Sequence, residues 1–301
     1  MQQGALGHGD KIDQPKPALV EFFEQEGNRI SQIACGSAHT LALDTEGTVW
    51  TWGEGEFGRL GNGVGSRAVP TKVELPDDSV RCVQVRIPSH ASMVLPLPLP
   101  PPRDAASSLA VLVLQVAAGK DHSFALDSTG VAWGFGKNGH GQLGLLEVSA
   151  VDVNACESVP QPLEVIRDAG ETVVQINGGN RNGIALTEAG HVYIWGDRLH
   201  LRPHKVDVWE GLMDGELIVQ VAAGRNSWGA LTSFGRVYTW GRNMFSGALA
   251  QAGGPQPKLL HSLNDISVQR LFLGHKAGAV VVGTPPRQPP ALPVEPVPAT
   301  P

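Results

Sequence analysis

Cysteine is scarce in this 301-residue sequence: Cys35, Cys82 and Cys156 stand far apart. That spacing offers neither a disulfide framework nor a metal knuckle, and it suits a reducing compartment. Runs of lysine or arginine are missing as well, and the net charge is -6. Nonspecific attraction to nucleic acid or anionic membranes is therefore disfavoured. The longest apolar stretch, Leu109 to Leu114 and past Gln115 to Ala118, is too short to span a bilayer. The opening MQQGALGHGD has no apolar core, so it does not read as a secretory signal. These shortages point to an intracellular protein, cytoplasmic or nuclear, without membrane insertion or a nucleic-acid partner.

What is abundant is glycine, with 37 residues, and proline, with 23. No collagen-like period accompanies them, so many tight turns between short strands are expected. The hydrophobic content of 42% allows a large core. Gly53-Glu-Gly55-Glu-Phe-Gly58 has the spacing of a dinucleotide-binding turn. Such a turn must leave a strand and open a helix, so that N–H groups and the helix dipole face the phosphate. Here Gly61, Gly63 and Gly65 follow at once and cannot propagate a helix. The spacing recurs at Gly134, Gly136, Gly139 and again at Gly139, Gly141, Gly144. Recurrence points to a repeat rather than to a nucleotide site.

Four segments align without gaps: CGSAHTLALDTEGTVWTWG, AGKDHSFALDSTGVAWGFG, GGNRNGIALTEAGHVYIWG and AGRNSWGALTSFGRVYTWG. Their anchor glycines are Gly36, Gly119, Gly179 and Gly224. Turn glycines Gly47, Gly130, Gly190 and Gly235 lie 11 residues on, and closing glycines Gly53, Gly136, Gly196 and Gly241 lie 17 on. Alternating apolar residues such as Leu41 and Leu43 predict a strand, the turn predicts glycine at positive φ, and Thr48–Trp52 predicts the returning strand. A proline-marked segment follows each hairpin, at Pro70, Pro162, Pro203 and Pro257, and is expected to be a further strand. A short apolar strand then precedes the next anchor, at Ile30–Ala34, Val173–Ile176 and Ile218–Ala222. Four strands per roughly fifty residues is the arithmetic of a propeller blade.

The pattern resembles the regulator of chromosome condensation repeat, with its G-x-x-H-S-x-A-L, D-G and V-Y-x-W-G-x-N-x-x-G-Q-L-G elements. Gly119-Lys-Asp-His122-Ser-Phe-Ala-Leu126 fits the first element and Gly136-Lys-Asn138-Gly-His-Gly141-Gln-Leu-Gly144 the last. The resemblance spans about residues 4–283 and implies an all-β β-propeller, usually of seven blades. Here five to six are expected. Counting Pro88 and Gly274, successive anchors lie 52, 31, 60, 45 and 50 residues apart. At the short interval, PLPLPPPRDAASS (Pro96–Ser108) replaces the second strand and glycine loop, and proline holds such a chain extended. The unit after Gly196 also lacks its glycine loop. Two readings stay open, an open divergent ring or a sequence incomplete or mis-spliced around 96–115 and at its start, and incompleteness is favoured. The expected organisation is a propeller over 1–283, broken by 96–108, with a disordered proline-rich tail over 284–301.

Candidate chemistry is thin. His39 and His122 hold the repeat's histidine position, but Asn182, Ser227 and Ala277 replace them elsewhere. A buried polar tie to a neighbouring strand is the expected role. His200 and His204 have metal-ligand spacing on a helix, yet Pro203 lies between them and no third ligand is evident. Trp50, Trp52, Trp133, Trp195 and Trp240 lie on returning strands, where packing between blades is expected. The plant UV-B photoreceptor of this family uses clustered tryptophans with a Gly-Trp-Arg-His-Thr motif. Gly36-Ser-Ala-His-Thr40 keeps that frame without the tryptophan, so light sensing is not expected. Asp44 and Asp127 read as exposed turn residues. No catalytic, cofactor-binding or metal residue is assigned. The expected function is a protein-binding scaffold. The resemblance also implies two alternatives, guanine-nucleotide exchange on a small GTPase such as Ran, or a fragment of a larger signalling or ubiquitin-ligase protein.

Overall fold

The computed structural model describes residues 4–63, 65–76, 113–145, 154–209, 211–241, 254–263, 266–274 and 278–282. The expectations for Pro88, Pro96–Ser108, Cys82, Ala277 and the tail 284–301 lie outside them. Each of the four aligned segments becomes the middle of a four-stranded antiparallel sheet. The first sheet holds β1 (Ile30–Cys35), β2 (His39–Asp44), β3 (Val49–Gly53) and β4 (Arg67–Val73) in that order. The second holds β5 (Val113–Ala118), β6 (His122–Asp127), β7 (Ala132–Lys137) and β8 (Cys156–Pro162). The third holds β9 (Val173–Gly178), β10 (Asn182–Thr187), β11 (Val192–Gly196) and β12 (His200–Lys205). The fourth holds β13 (Ile218–Ala223), β14 (Ser227–Thr232), β15 (Val237–Gly241) and β16 (Gly254–Leu259). A fifth sheet contributes β17 (Val268–Leu273) and β18 (Gly278–Val282).

Every residue of β2, β6, β10 and β14 is buried, as a strand sandwiched on both faces requires. The apolar core lies between sheets rather than within one. Leu126, Phe124 and Ala117 of the second sheet, for example, pack with Ile176, Tyr193 and Trp195 of the third. Side chains of this size each contribute about 1.5–3 kcal/mol on full burial. First strands of successive sheets lie side by side, β1 against β5, β5 against β9, β9 against β13 and β13 against β17. Among the described residues these extensive contacts run in chain order, and none of them joins the fifth sheet to the first.

The turn glycines Gly47, Gly130, Gly190 and Gly235 have φ of 85°, 82°, 80° and 76°, the left-handed values a hairpin of this kind needs. One expected strand is corrected. Pro162 ends β8, and Glu164–Asp168 beyond it form a short helix, α2, whose buried Ile166 faces the core. Periodicity over five residues could not separate the two states. A second short helix, α1 (Glu21–Gln25), precedes β1 and sets Phe22 and Phe23 edge-on against Trp50, with ring centroids 5.3 and 5.9 Å away. Among the described residues no helix is long and apolar enough to cross a membrane.

Candidate functional site

The repeated positions converge where one sheet meets the next. His39, His122, Asn182 and Ser227 sit directly opposite the closing glycines Gly53, Gly136, Gly196 and Gly241. The His39 ring lies over its own anchor, so a Cβ on Gly36 would collide with that ring and with the Gly119 carbonyl. Gly119 is hemmed in the same way by His122 and Gly179, and Gly179 by Asn182 and Gly224. The backbone beside each anchor closes the junction: Ser37 N donates to Lys120 O (3.2 Å), Lys120 N to Gly179 O (3.0 Å) and Asn180 N to Gly224 O (3.3 Å).

The histidines are held neutral. Burial, reinforced by the charges of Arg59 and His122, lowers the His39 pKa to about 3. Its Nε2 lies 3.0 Å from Ser123 Oγ, across the junction. Burial likewise lowers His122 to about 4, against the weaker pull of the Asn182 backbone and the Asp121 charge. In the next sheet Asn182 Nδ2 donates to Ser227 O at 3.2 Å.

One set of residues escaped the sequence reading, and two that it named have roles it did not assign. The first is a row of glutamines, Gln32, Gln115, Gln175 and Gln220, each four residues before an anchor. Each reaches the backbone of the next first strand. Gln115 bonds both groups of Ile176 (2.9 and 2.9 Å) and Gln220 both groups of Leu271 (2.9 and 2.9 Å). Gln32 accepts from Val116 N (2.9 Å), and Gln175 from Val221 N (2.8 Å). The fourfold spacing was the available signal.

The second set is the Gly-x-Leu-Gly loop, which clasps the next sheet. Ala5 O, in Gly4-Ala-Leu-Gly7, accepts from Trp52 Nε1 (2.8 Å) and Thr40 Oγ1 (3.0 Å). Arg59 O, in Gly58-Arg-Leu-Gly61, accepts from Ser123 Oγ (2.8 Å), while Gly61 meets the Phe135 ring. Gln142 O, in Gly141-Gln-Leu-Gly144, accepts from Trp195 Nε1 (2.9 Å). Arg59 is itself buried and paired with Glu54 (3.0 Å) and Asp121 (3.1 Å). The glycines that mimic a dinucleotide turn therefore carry the clasp, and only a three-residue 3-10 turn, Glu56–Gly58, stands where the phosphate-binding helix would begin.

The third set concerns carboxylates. Asp44 and Asp127 are buried rather than exposed, which corrects the expectation. Asp127 Oδ1 accepts from Thr129 N (2.9 Å) and Val131 N (3.0 Å), and Oδ2 from Trp133 Nε1 (2.8 Å). Asp44 holds Glu46 N (2.9 Å), Thr48 N (2.8 Å) and Trp50 Nε1 (2.9 Å) in the same way. Turn chemistry was legible, but not the tryptophan that covers it. In the third and fourth sheets threonine stands at this position, and a distant glutamate supplies the charge. Glu171 accepts from Thr187 Oγ1 (2.7 Å) and lies 2.6 Å from His191 Nδ1. Glu216 is paired with Arg236. Burial pushes both glutamates up. For Glu171 the bonds from Thr187 and His191 prevail, and for Glu216 those from Arg236 and Thr232, so both pKa values end lowered.

His200 and His204 lie on β12, not on a helix, and their rings stack at 4.3 Å. No third histidine, cysteine or acidic residue joins them among the described residues. Of the five returning-strand tryptophans, Trp52, Trp133, Trp195 and Trp240 are buried, the last three within the apolar clusters between sheets.

The family pattern described as "Regulator of chromosome condensation (RCC1) repeat" matches residues 2–43, 46–95 and 129–186, and a second pattern of the same description matches 30–59 and 113–142. The E3 ubiquitin-protein ligase HERC2 of Homo sapiens is 34% identical over 203 residues, covering 66% of this chain and 3% of that protein. The ultraviolet-B receptor UVR8 of Arabidopsis thaliana is 28% identical over 194 residues, covering 64% of this chain and 34% of the receptor. The chain thus spans a small part of the first relative and about a third of the second. Among solved structures, human WBSCR16 aligns with a TM-score of 0.63 at 20% identity, over 85% of this chain and 58% of that one. That likeness concerns the fold alone, and the four-stranded antiparallel sheets are like the propeller blades of this repeat family.

Proposed function

Because this chain belongs to the regulator of chromosome condensation repeat family, we propose that it is a protein-binding scaffold, with its propeller over residues 1–283 as the binding domain. One observation carries the reading: the repeated polar residues are committed to architecture. The histidines are neutral and buried, Asp44 and Asp127 are covered by turn N–H groups and tryptophan, and the glutamines close the junctions. What differs between blades is the loop chemistry at one end of the sheets. Side chains there include Lys120, Lys137, Arg181, Arg198 and Arg225. A rigid frame presenting variable loops suits recognition of a folded partner.

Nucleotide exchange on a small GTPase is the finer alternative. Exchange works by loop insertion rather than by a nucleophile, so it is compatible with a frame whose polar groups are occupied. The third reading, a segment of a larger signalling or ubiquitin-ligase protein, is supported by the 3% share of HERC2 that the chain covers. Affinity capture from cell extract with mass spectrometry tests the proposal. A reproducible protein partner is expected, and recovery of a small GTPase in its nucleotide-free form would select exchange. Absence of any saturable protein partner would refute the scaffold reading.

A further inference from the structure

Among the described residues the clasp is missing at one junction. Blades one, two and three each receive a Gly-x-Leu-Gly loop on the strand pair that includes the +4 and +16 positions after the anchor. Between the third and fourth blades the loop shrinks to Asp197-Arg-Leu199, with Asp197 and Arg198 themselves at φ 52° and 57°. A cleft of about 300 Å³ lies there, walled by Asp197, Leu199, Asn226, Trp228, Gly254 and Pro255. Register identifies it. Gly254 pairs with closing Gly241, as Arg67 pairs with Gly53, Glu157 with Gly136 and His200 with Gly196. The next residues, Ala68, Ser158 and Leu201, are the ones that Gly4, Gly58 and Gly141 of the clasps approach. Pro255 is their counterpart.

A second observation points the same way. Trp240 occupies the position of Trp52 and Trp195, whose indole N–H groups donate to clasp carbonyls. Trp240 is 1% exposed, and its Nε1 has no hydrogen-bond partner among the described residues. A buried donor left unpaired carries its full desolvation cost, which an incoming carbonyl would relieve. Trp228, directly opposite on β14, stacks on it at 6.4 Å and turns its own N–H to Gly183 O (3.0 Å). The rim is basic: Arg198 sits between two cleft residues, Arg225 precedes Asn226, and both are exposed, as is Arg181. The charges of Arg181, Arg198 and Lys137 all bear on His140, with Asp197 as the local counter-charge.

We propose that the cleft between the third and fourth blades is a docking site for a partner protein's loop of small-x-Leu-small sequence flanked by acidic residues, which replaces the missing clasp in trans. The three occupied junctions define the shape of the occupant, and the basic rim defines its flanks. The inference rests on the scaffold reading and names its surface.

The probe is a cyclic peptide carrying Gly-Gln-Leu-Gly between glutamates, titrated against the full chain and followed by tryptophan emission and by the Trp240 indole ¹H–¹⁵N resonance. Saturable binding with a downfield indole shift is expected. Arg181→Glu with Arg198→Glu should weaken it tenfold or more. A graft of Gly-Gln-Leu-Gly between Arg198 and Leu199 should abolish it and raise the melting temperature. Trp240→Phe, which keeps an aromatic ring and removes the donor, should weaken it several-fold. Unsaturable binding, or binding indifferent to the graft and to the charge reversals, overturns the proposal. It is equally overturned if binding emerges only after excision of residues 242–253, since the occupant would then be this chain. If captured partners are retained while the peptide ignores the cleft, this inference falls and the scaffold reading stands. If the peptide binds at the cleft and no protein is captured, the cleft's preference for such a loop stands and the scaffold reading falls.

Discussion

Acidification from pH 7.5 to pH 5 should destabilise this protein well before its carboxylates titrate. In the unfolded chain His39 and His122 take up protons near the ordinary pKa of 6.5, whereas in the folded protein they resist until about 3 and about 4. A histidine whose folded pKa is depressed adds stability above its unfolded pKa and loses it as pH falls below that value. At pH 5 each loses about 2 kcal/mol relative to pH 7.5, or about 4 kcal/mol together, taking 1.36 kcal/mol per pKa unit. The loss depends on the unfolded pKa and barely on the folded one, provided the latter stays below about 4.5. Urea denaturation at several pH values measures it directly. The control is His39→Asn with His122→Asn, because asparagine already fills the position at Asn182. The double variant should lose most of the slope between pH 7 and pH 5. Equal slopes in the two proteins would refute the claim that these rings are folded in as neutral groups.

Replacing Gln115 by leucine should cost about 1–3 kcal/mol, since it leaves both backbone groups of Ile176 without their partner, and chemical denaturation should show it. Gly130→Val should cost about 1–3 kcal/mol from its left-handed backbone. Thr172 crowds the same side, so an unchanged melting midpoint would count against the hairpin. Calorimetry with NAD, ATP and GTP should detect no binding at Gly53–Gly58. Micromolar binding lost in Gly55→Ala would overturn the clasp reading.

The hairpins were legible because their glycines and alternating apolar residues encode local geometry, and the four full blades follow from them. The junctions were much less so. Gln115 looks like an ordinary polar residue on a strand, and only the backbone of Ile176, 61 residues away, gives it a role. Burial of Asp127 was hidden for the same reason, as Trp133 covers it only once the hairpin has formed. The helix at Glu164–Asp168 is too short for periodicity to declare it. The cleft beside Trp228 was visible as a missing loop, but its meaning needed the other three clasps for comparison.

The glutamines of the first strands bond to main chain, not to side chains, of the blade that follows. A receiving blade therefore satisfies its neighbour's glutamine with main chain, whatever side chain it carries at that residue. That one bond would form with a newly duplicated unit without a matching substitution on the far side, while the apolar cluster and the clasp at the same seam still depend on side chains of both blades. Each blade brings its own glutamine for its successor, so the chain could be lengthened or shortened by whole units in evolution. The fifth blade has Arg270 where that glutamine would stand, so a successor to it would have to be gripped by different chemistry.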